Sequence, residues 1–218
     1  MSLLDFARGP ALQWAAVIFV IGMLWRTVGL LLMLRSRPLS KDRKSGLAGA
    51  GVKTMFSRFL LPKVFAKRVG FQFLLGWVWH VGFVLTLFFF QVHVLFFKGV
   101  FGFSWPALPN AVVLPVAAVT LGILLILLVR RMTNPMLRYI SNFNDYSSVI
   151  VTLLPFVTGF ATFTHIPALA YETLLALHFL SVALLLVWFP FSKLFHVITV
   201  LPSRYILGVK FWRRGVEA

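Results

Sequence analysis

The stretch 168-ALAYETLLALHFLSVALLLVWFPFSKLFHVITV-200 carries only two formally charged residues, Glu172 and Lys193. It is far longer than the roughly 20 apolar residues that cross a bilayer as a helix. Its inner end is expected to project into the interface, or the helix to tilt or bend, with Pro190 as the bending point. Two histidines lie within it, His178 and His196, 18 residues apart. At 3.6 residues per turn this is five turns, so one continuous helix would present both from one face, about 27 Å apart along its axis. An imidazole placed in hydrocarbon loses its hydration and needs a compensating partner.

The rest of the chain has the same character. Its 218 residues are 60% hydrophobic and 12% charged, a composition outside the range of soluble domains. Five stretches are long and apolar enough to span: Ala11–Leu34, Phe71–Phe97, Ala111–Leu128, Ser147–Thr164 and Ala168–Val200. The net charge of +16 is unevenly placed. Basic residues cluster from Arg35 to Arg68, at Arg130, Arg131 and Arg138, and from Lys193 to Arg214, while the alternate connections hold Arg8 and Lys98. That distribution follows the positive-inside rule and argues against nucleic acid as the partner. The expected fold is an all-α membrane protein of five transmembrane helices, with the N-terminus outside and the C-terminus cytoplasmic, in a bacterial or archaeal cytoplasmic membrane. The first span has no basic n-region or small-residue cleavage site ahead of it, so it reads as retained rather than cleaved.

The connections are short or patterned, so residues 1–218 read as a single membrane domain. Val52, Met55, Phe56, Phe59 and Leu60 recur at helical spacing, and residues 52–61 are read as an amphipathic segment on the inner leaflet or against a partner, ended by Pro62. Gly46, Gly49 and Gly51 are read as a flexible approach to it. Asn134-Pro135 signals a turn, and Asn142 to Asp145 a helix cap.

All five histidines lie in or at the edge of the apolar segments. On antiparallel second and fifth spans, depth pairs His80 with His196 toward the inside and His93 with His178 toward the outside. An ideal helix leaves His80 and His93 about 140° apart in direction. His165, at the outer end of the fourth span, competes with His93 for the outer position or contacts a quinone. A lone buried histidine is ordinarily satisfied by a neighbouring helix carbonyl. Four of them paired by depth fit two bis-imidazole b-type haems. A transported metal ion would favour carboxylates beside the imidazoles, and none of the five acidic residues is deep in a span. The chain has no cysteine, so it can supply no thiolate for an iron–sulfur cluster or a c-type haem.

Several motifs add to the spacing. Leu177-His178-Phe179, Phe189-Pro190-Phe191-Ser192-Lys193-Leu194-Phe195-His196, then Val200, Pro202 and Tyr205, resemble the fifth helix of the respiratory nitrate reductase gamma subunit family. Trp79-His80-Val81-Gly82-Phe83 is similar to the start of that family's second helix. Ile21-Gly22 with Arg26 is similar to its first helix, and Arg130-Arg131 through Arg138, Ser141 and Asp145 to its loop into helix four. The resemblance covers all five spans. It implies a di-haem cytochrome b that exchanges electrons between a quinol or quinone and a cytoplasmic iron–sulfur subunit, with a further catalytic subunit beyond. His80 and His196 match the inner ligands and His178 one outer ligand. The family places its fourth ligand ten residues after the first, at Phe90 here, whereas this chain has His93. The departure points to a branch related to the anchors of heterodisulfide-reductase-like and sulfur-metabolising complexes.

Arg26 is a candidate partner for a haem propionate, or an arginine that snorkels to the interface. Lys98, Tyr171 and Glu172 are candidate quinone contacts on the outer rim, against the plainer reading of solvated interfacial residues. Two other readings stay open: a cofactor-free scaffold or transporter subunit, and a single-haem anchor at His80 and His196 with the outer histidines serving a quinone.

Overall fold

The computed structural model describes residues 1–33 and 41–217. Leu34, at the expected end of the first span, and Arg35 and Arg37 of the basic run lie outside the described residues. The described residues are mostly helical, with no strand among them, in the order α1 (Leu3–Phe6), a π turn (Ala7–Ala11), α2 (Leu12–Met33), α3 (Leu47–Ser57), α4 (Lys63–Phe89), α5 (Gln91–Phe101), α6 (Asn110–Thr133), α7 (Pro135–Tyr139), α8 (Phe143–Phe163), α9 (Tyr171–Trp188), two 3₁₀ turns (Phe189–Phe191 and Lys193–Phe195) and α10 (His196–Arg213). Among the described residues six helical stretches are long and apolar enough to cross a membrane: Leu3–Leu32, Lys63–Phe89, Asn110–Thr133, Phe143–Phe163, Tyr171–Phe191 and Lys193–Arg213. The protein is a multi-pass, all-helical membrane protein.

Three segments depart in kind from the sequence expectation, and two more only in length, α6 running on to Thr133 and α8 beginning at Phe143. The first helix begins at Leu3 rather than Ala11, because a Ser2–Asp5 capping box starts it and Pro10, which lacks an N–H, falls in the π turn. The second segment is not one helix over 71–97. It starts at Lys63 and breaks at Phe90 (φ −72°, ψ 131°), where α5 begins. The segment 168–200 is likewise broken. Pro190 and Ser192 interrupt it, and His196 opens a new helix instead of continuing α9. The five-turn argument for His178 and His196 therefore fails, as does the 140° angle between His80 and His93. Both assumed a continuous helix.

The caps behave as their sequences ask. Asn142 and Asp145 form a reciprocal capping box on α8, and the Asn134 side chain accepts from the Leu137 N–H ahead of Pro135. The core sits among α4, α6 and α8, where Ala117, Leu124 and Phe156 are buried against Trp79, Phe83 and Leu121. With lipid tails as apolar as the helices, close packing of small residues drives such contacts. Gly82 on α4 shows it: a Cβ there would overlap the Thr120 side chain of α6.

The amphipathic segment is displaced from 52–61 to Leu47–Ser57, entered through Gly46 in the left-handed region (φ 77°). It packs along α10 through its small face, not its apolar stripe. Gly51 lies under the Tyr205 ring, and Gly208 lies against Thr54 and the Ala50 carbonyl. Gly51 is thus a contact residue rather than a flexible joint. Trp212 Nε1 donates to the Ser45 carbonyl (2.7 Å), Arg213 pairs with Asp42, and the Arg43 N–H donates to the Arg213 carbonyl (3.0 Å). Val52, Phe56 and Leu60 stay exposed.

A Cβ on Gly208 would lie 2.7 Å from the Ala50 carbonyl oxygen, a main-chain atom with little room to retreat. Gly208→Val is expected to cost about 1–3 kcal/mol by overpacking. Thermal unfolding of the detergent-purified protein would measure the loss, and faster tryptic cleavage after Lys53 and Arg58 would locate it in the α3–α10 pair.

Candidate functional site

Four of the five histidines meet in two pairs. His80, midway along α4, faces His196 at the first residue of α10, with ring centroids 5.9 Å apart and planes crossed at 89°. His93, in the first turn of α5, faces His178 of α9 at 6.2 Å, with planes nearly parallel at 7°. Each pair thus combines a histidine within a continuous helix and one just beyond a helix break.

Separations near 6 Å also occur between aromatic rings that merely pack. The bonds at the ring nitrogens are those of any satisfied histidine in a helical bundle, and they also decide which nitrogen of each ring stays available. His80 Nδ1 donates to the Gly76 carbonyl (2.6 Å), His93 Nδ1 to the Thr86 carbonyl (3.0 Å) and His196 Nδ1 to the Lys193 carbonyl (3.0 Å). His178 Nδ1 is 3.1 Å from Thr158 Oγ1. The Thr158 hydroxyl reaches the Leu154 carbonyl (2.8 Å), which leaves its oxygen to accept from the imidazole, and Ser181 closes the cluster at 2.9 Å. With Nδ1 carrying the proton in each ring, Nε2 keeps its lone pair, and no hydrogen bond among the described residues uses it. This is the tautomer and outer-shell support of a metal-ligating histidine.

Among the described residues no group of three or more His, Cys, Asp or Glu could hold a bare ion. Paired imidazoles instead suit an iron whose other ligands come from a macrocycle. Two nitrogen–metal bonds of about 2 Å, plus about 1 Å from each nitrogen to its ring centre, put axial imidazole centroids roughly 6 Å apart. Among the described residues one buried donor without an acceptor adjoins the His80/His196 pair, and two lie elsewhere, on Trp188 and Arg204. Trp79, in edge contact with His80 at 4.4 Å, has its indole N–H unpaired, whereas Arg204 lies over Phe59 beside Trp77. A group bearing carboxylates would satisfy the Trp79 donor.

The remaining candidates are placed differently. His165 stacks on Tyr171 (5.0 Å, 13°) at the exposed end of α8 and has an uncommon positive φ of 51°. The position opposite His178 is held by His93, not by His165. Lys98 on α5 and Glu172 in the first turn of α9 are exposed, and no hydrogen bond or ion pair among the described residues joins Lys98, Tyr171 and Glu172. Arg26, set opposite a propionate in the sequence reading, donates from Nη1 to the main-chain carbonyls of Pro190 (2.6 Å) and Ser192 (3.2 Å) and lies over the Phe195 ring. The cause is the helix break, which leaves the Pro190 carbonyl without a main-chain N–H partner, while the Ser192 carbonyl also accepts from the Phe195 N–H (3.3 Å). A cavity of about 240 Å³ lies between α8 and α9, walled by apolar side chains except for Thr158.

Sequence reasoning missed Thr158 and Ser181. Buried Ser148, Thr152 and Thr162, with Thr158 between them, give α8 a hydroxyl-bearing stripe at helical spacing, which was the available signal.

The chain is similar to a protein of Nitratidesulfovibrio vulgaris strain Hildenborough, 29% identical over 215 residues that cover 94% of this chain and 92% of the other. No family model matches the chain, and no solved structure matches it.

Thr158→Val would remove the acceptor of the His178 N–H and leave it unsatisfied, at a cost of about 1–3 kcal/mol. Thr158→Ser would keep the acceptor and most of the stability. Denaturant unfolding in detergent would compare the two variants with the parent.

Proposed function

We propose that this chain is the di-haem b membrane subunit of a respiratory oxidoreductase, linking a membrane quinol or quinone to an iron–sulfur partner subunit on the cytoplasmic side. The observation that carries this reading is the pair of facing imidazole sets, each near 6 Å, with every Nδ1 engaged and every Nε2 unused among the described residues. His80 and His196 would hold the inner haem, and His93 and His178 the outer one. Bound haem supplies reversible one-electron chemistry, while the protein sets its ligands, spacing and dryness.

The protein's own groups have definite tasks in this reading. The Nδ1 bonds fix ring orientation and raise ligand basicity. His93 and His178 are partly buried, whereas His80 and His196 are exposed and would rely on lipid or the partner subunit to exclude water. Trp79 offers an unspent donor to an acid group at the inner site. The quinone is held at the outer end, its apolar body received by the cavity beside Thr158 and its polar edge by rim residues among Lys98, Tyr171, Glu172 and His165.

The topology follows from the charges. Five spans are formed by α1–α2, α4, α6, α8 and α9, with the N-terminus outside and the C-terminus in the cytoplasm of a bacterial or archaeal cell. Lys193–Arg213, although apolar enough to be a sixth candidate, carries Arg204, Lys210 and Arg213 and packs on α3, which is too short to cross. We read the α3–α10 pair as lying at the inner interface, its exposed Val52, Phe56 and Leu60 toward lipid. The basic face beside it receives the iron–sulfur subunit, which joins a further catalytic subunit.

Protein purified from native membranes is expected to show two low-spin b-type haems per chain, reducible by a quinol analogue. The crossed inner rings should give the more anisotropic ferric resonance and the parallel outer rings the more rhombic one. His80→Ala or His196→Ala should abolish the first signal, and His93→Ala or His178→Ala the second. Colourless protein, or full haem content in all four variants, overturns the reading. Undiminished quinol reduction of the inner haem in His178→Ala would overturn the outer placement of the quinone.

A further inference from the structure

Both ligand-bearing breaks create the same difficulty. A helix that stops inside a membrane leaves main-chain carbonyls without N–H partners, and each costs several kcal/mol in hydrocarbon unless another group satisfies it. At the first break, the Thr86 carbonyl is taken by His93 Nδ1 and the Phe89 carbonyl by the Leu108 N–H (2.9 Å). The Phe88 carbonyl is taken by the indole N–H of Trp105 (2.6 Å), which reaches back from the loop between α5 and α6. At the second break, the Pro190 carbonyl has Arg26 as its donor, the Ser192 carbonyl takes Arg26 beside the Phe195 N–H, and the Lys193 carbonyl takes His196 Nδ1 beside the His196 main-chain N–H.

We propose that Arg26 and Trp105 are positioning residues, each clamping the helix break that aims one imidazole, Arg26 for His196 and Trp105 for His93. The inference rests on the reading of the two pairs as ligand sets. Arg26 suits the task on three grounds. Its Nη1 bridges two carbonyls across the break, and its guanidinium lies 4.2 Å from the ring centre of Phe195, the residue immediately before His196. Gly22, one helical turn earlier on α2, lets the two elements touch, since a Cβ there would stand 2.7 Å from the Pro190 ring. Arg26 and Gly22 therefore form one docking surface for the break. On the opposite side, Asn144 Oδ1 accepts from the Lys193 N–H (2.9 Å), and Asp145 bonds Lys193 Nζ (2.6 Å) and Arg131 (3.1 Å). The loop preceding His196 is thus fastened to α2 and α8 together.

Trp105 does the same work with a neutral donor. Its ring packs near Phe97 (5.7 Å) and Phe88 (6.4 Å), so the indole is wedged between the two helices that meet at the break. The clamp offers a physical reason for the thirteen-residue spacing of His80 and His93. Once the helix ends at Phe90 and restarts, the ligand no longer has to sit where an unbroken helix would place it.

The two clamps act on different pairs, so each variant is the control for the other. The test uses Arg26→Met, Arg26→Lys and Trp105→Phe in the purified full-length protein, with ferric resonance spectra, the midpoint potential of each haem, and amide hydrogen exchange. Arg26→Met is expected to shift or abolish the His80/His196 signal and potential and leave the His93/His178 signal unchanged, with Arg26→Lys restoring part of the loss. Trp105→Phe is expected to do the reverse. Without haem chemistry as the readout, exchange over residues 191–197 should rise about tenfold in Arg26→Met alone, and over residues 91–94 in Trp105→Phe alone, on loss of a hydrogen bond. Equal disturbance of both pairs by either variant, or no change at the pair assigned to it, overturns the inference. If the parent protein holds no haem, the functional reading falls, and exchange alone decides the clamps: a local rise supports them and its absence overturns them.

Discussion

Main-chain carbonyls cannot be left bare in hydrocarbon, and much of this molecule is arranged around that constraint. Two of its helical segments break beside a histidine, and each break releases carbonyls that must be satisfied locally. His93 and His196 each give a ring N–H to one of them. For His93 that bond satisfies a carbonyl the break leaves open, for His196 it adds to the His196 main-chain N–H on the same carbonyl, and in both it fixes the tautomer that leaves Nε2 unprotonated. The partners on unbroken helices reach the same state by other means: His80 through the carbonyl one turn back, and His178 through a threonine on a neighbouring helix.

The apolar spans, the Asn142–Asp145 cap and the Asn134 turn were legible in the sequence because each is a local pattern with a local cause. The grouping of His80 with His196 and of His93 with His178 was legible from depth alone, since antiparallel helices bring equal depths together. Its geometric basis was not. Pro190 announced a bend, but not that the following residues would form two 3₁₀ turns and restart a helix at His196. The break at Phe90 has no proline, and what sustains it, the reach of Trp105 and Leu108, is tertiary. The role of Arg26 was hidden for the same reason. A guanidinium in a span has the chemistry for a carboxylate or a carbonyl, and only the neighbouring fold decides which it meets.

The α3–α10 pair shows a second kind of illegibility. The sequence periodicity marks Val52, Phe56 and Leu60 as the face that should be covered, yet the face that packs is Gly51 and Thr54. Periodicity locates a helix and its apolar stripe. It does not say whether protein or lipid lies against that stripe. In a membrane protein the tight protein contact goes to small residues and the bulky stripe is released outward.

α10 starts at an imidazole and ends among the arginines at the C-terminus, about 27 Å away for its 18 residues. His196 therefore stands at one end of a lever, which Pro202 interrupts partway along. Its short side is bolted to α2 and α8, and its long arm is yoked to α3. An arm held at both ends leaves the ring at its base little freedom to swing, so the orientation of His196 is set by contacts spread over three helices.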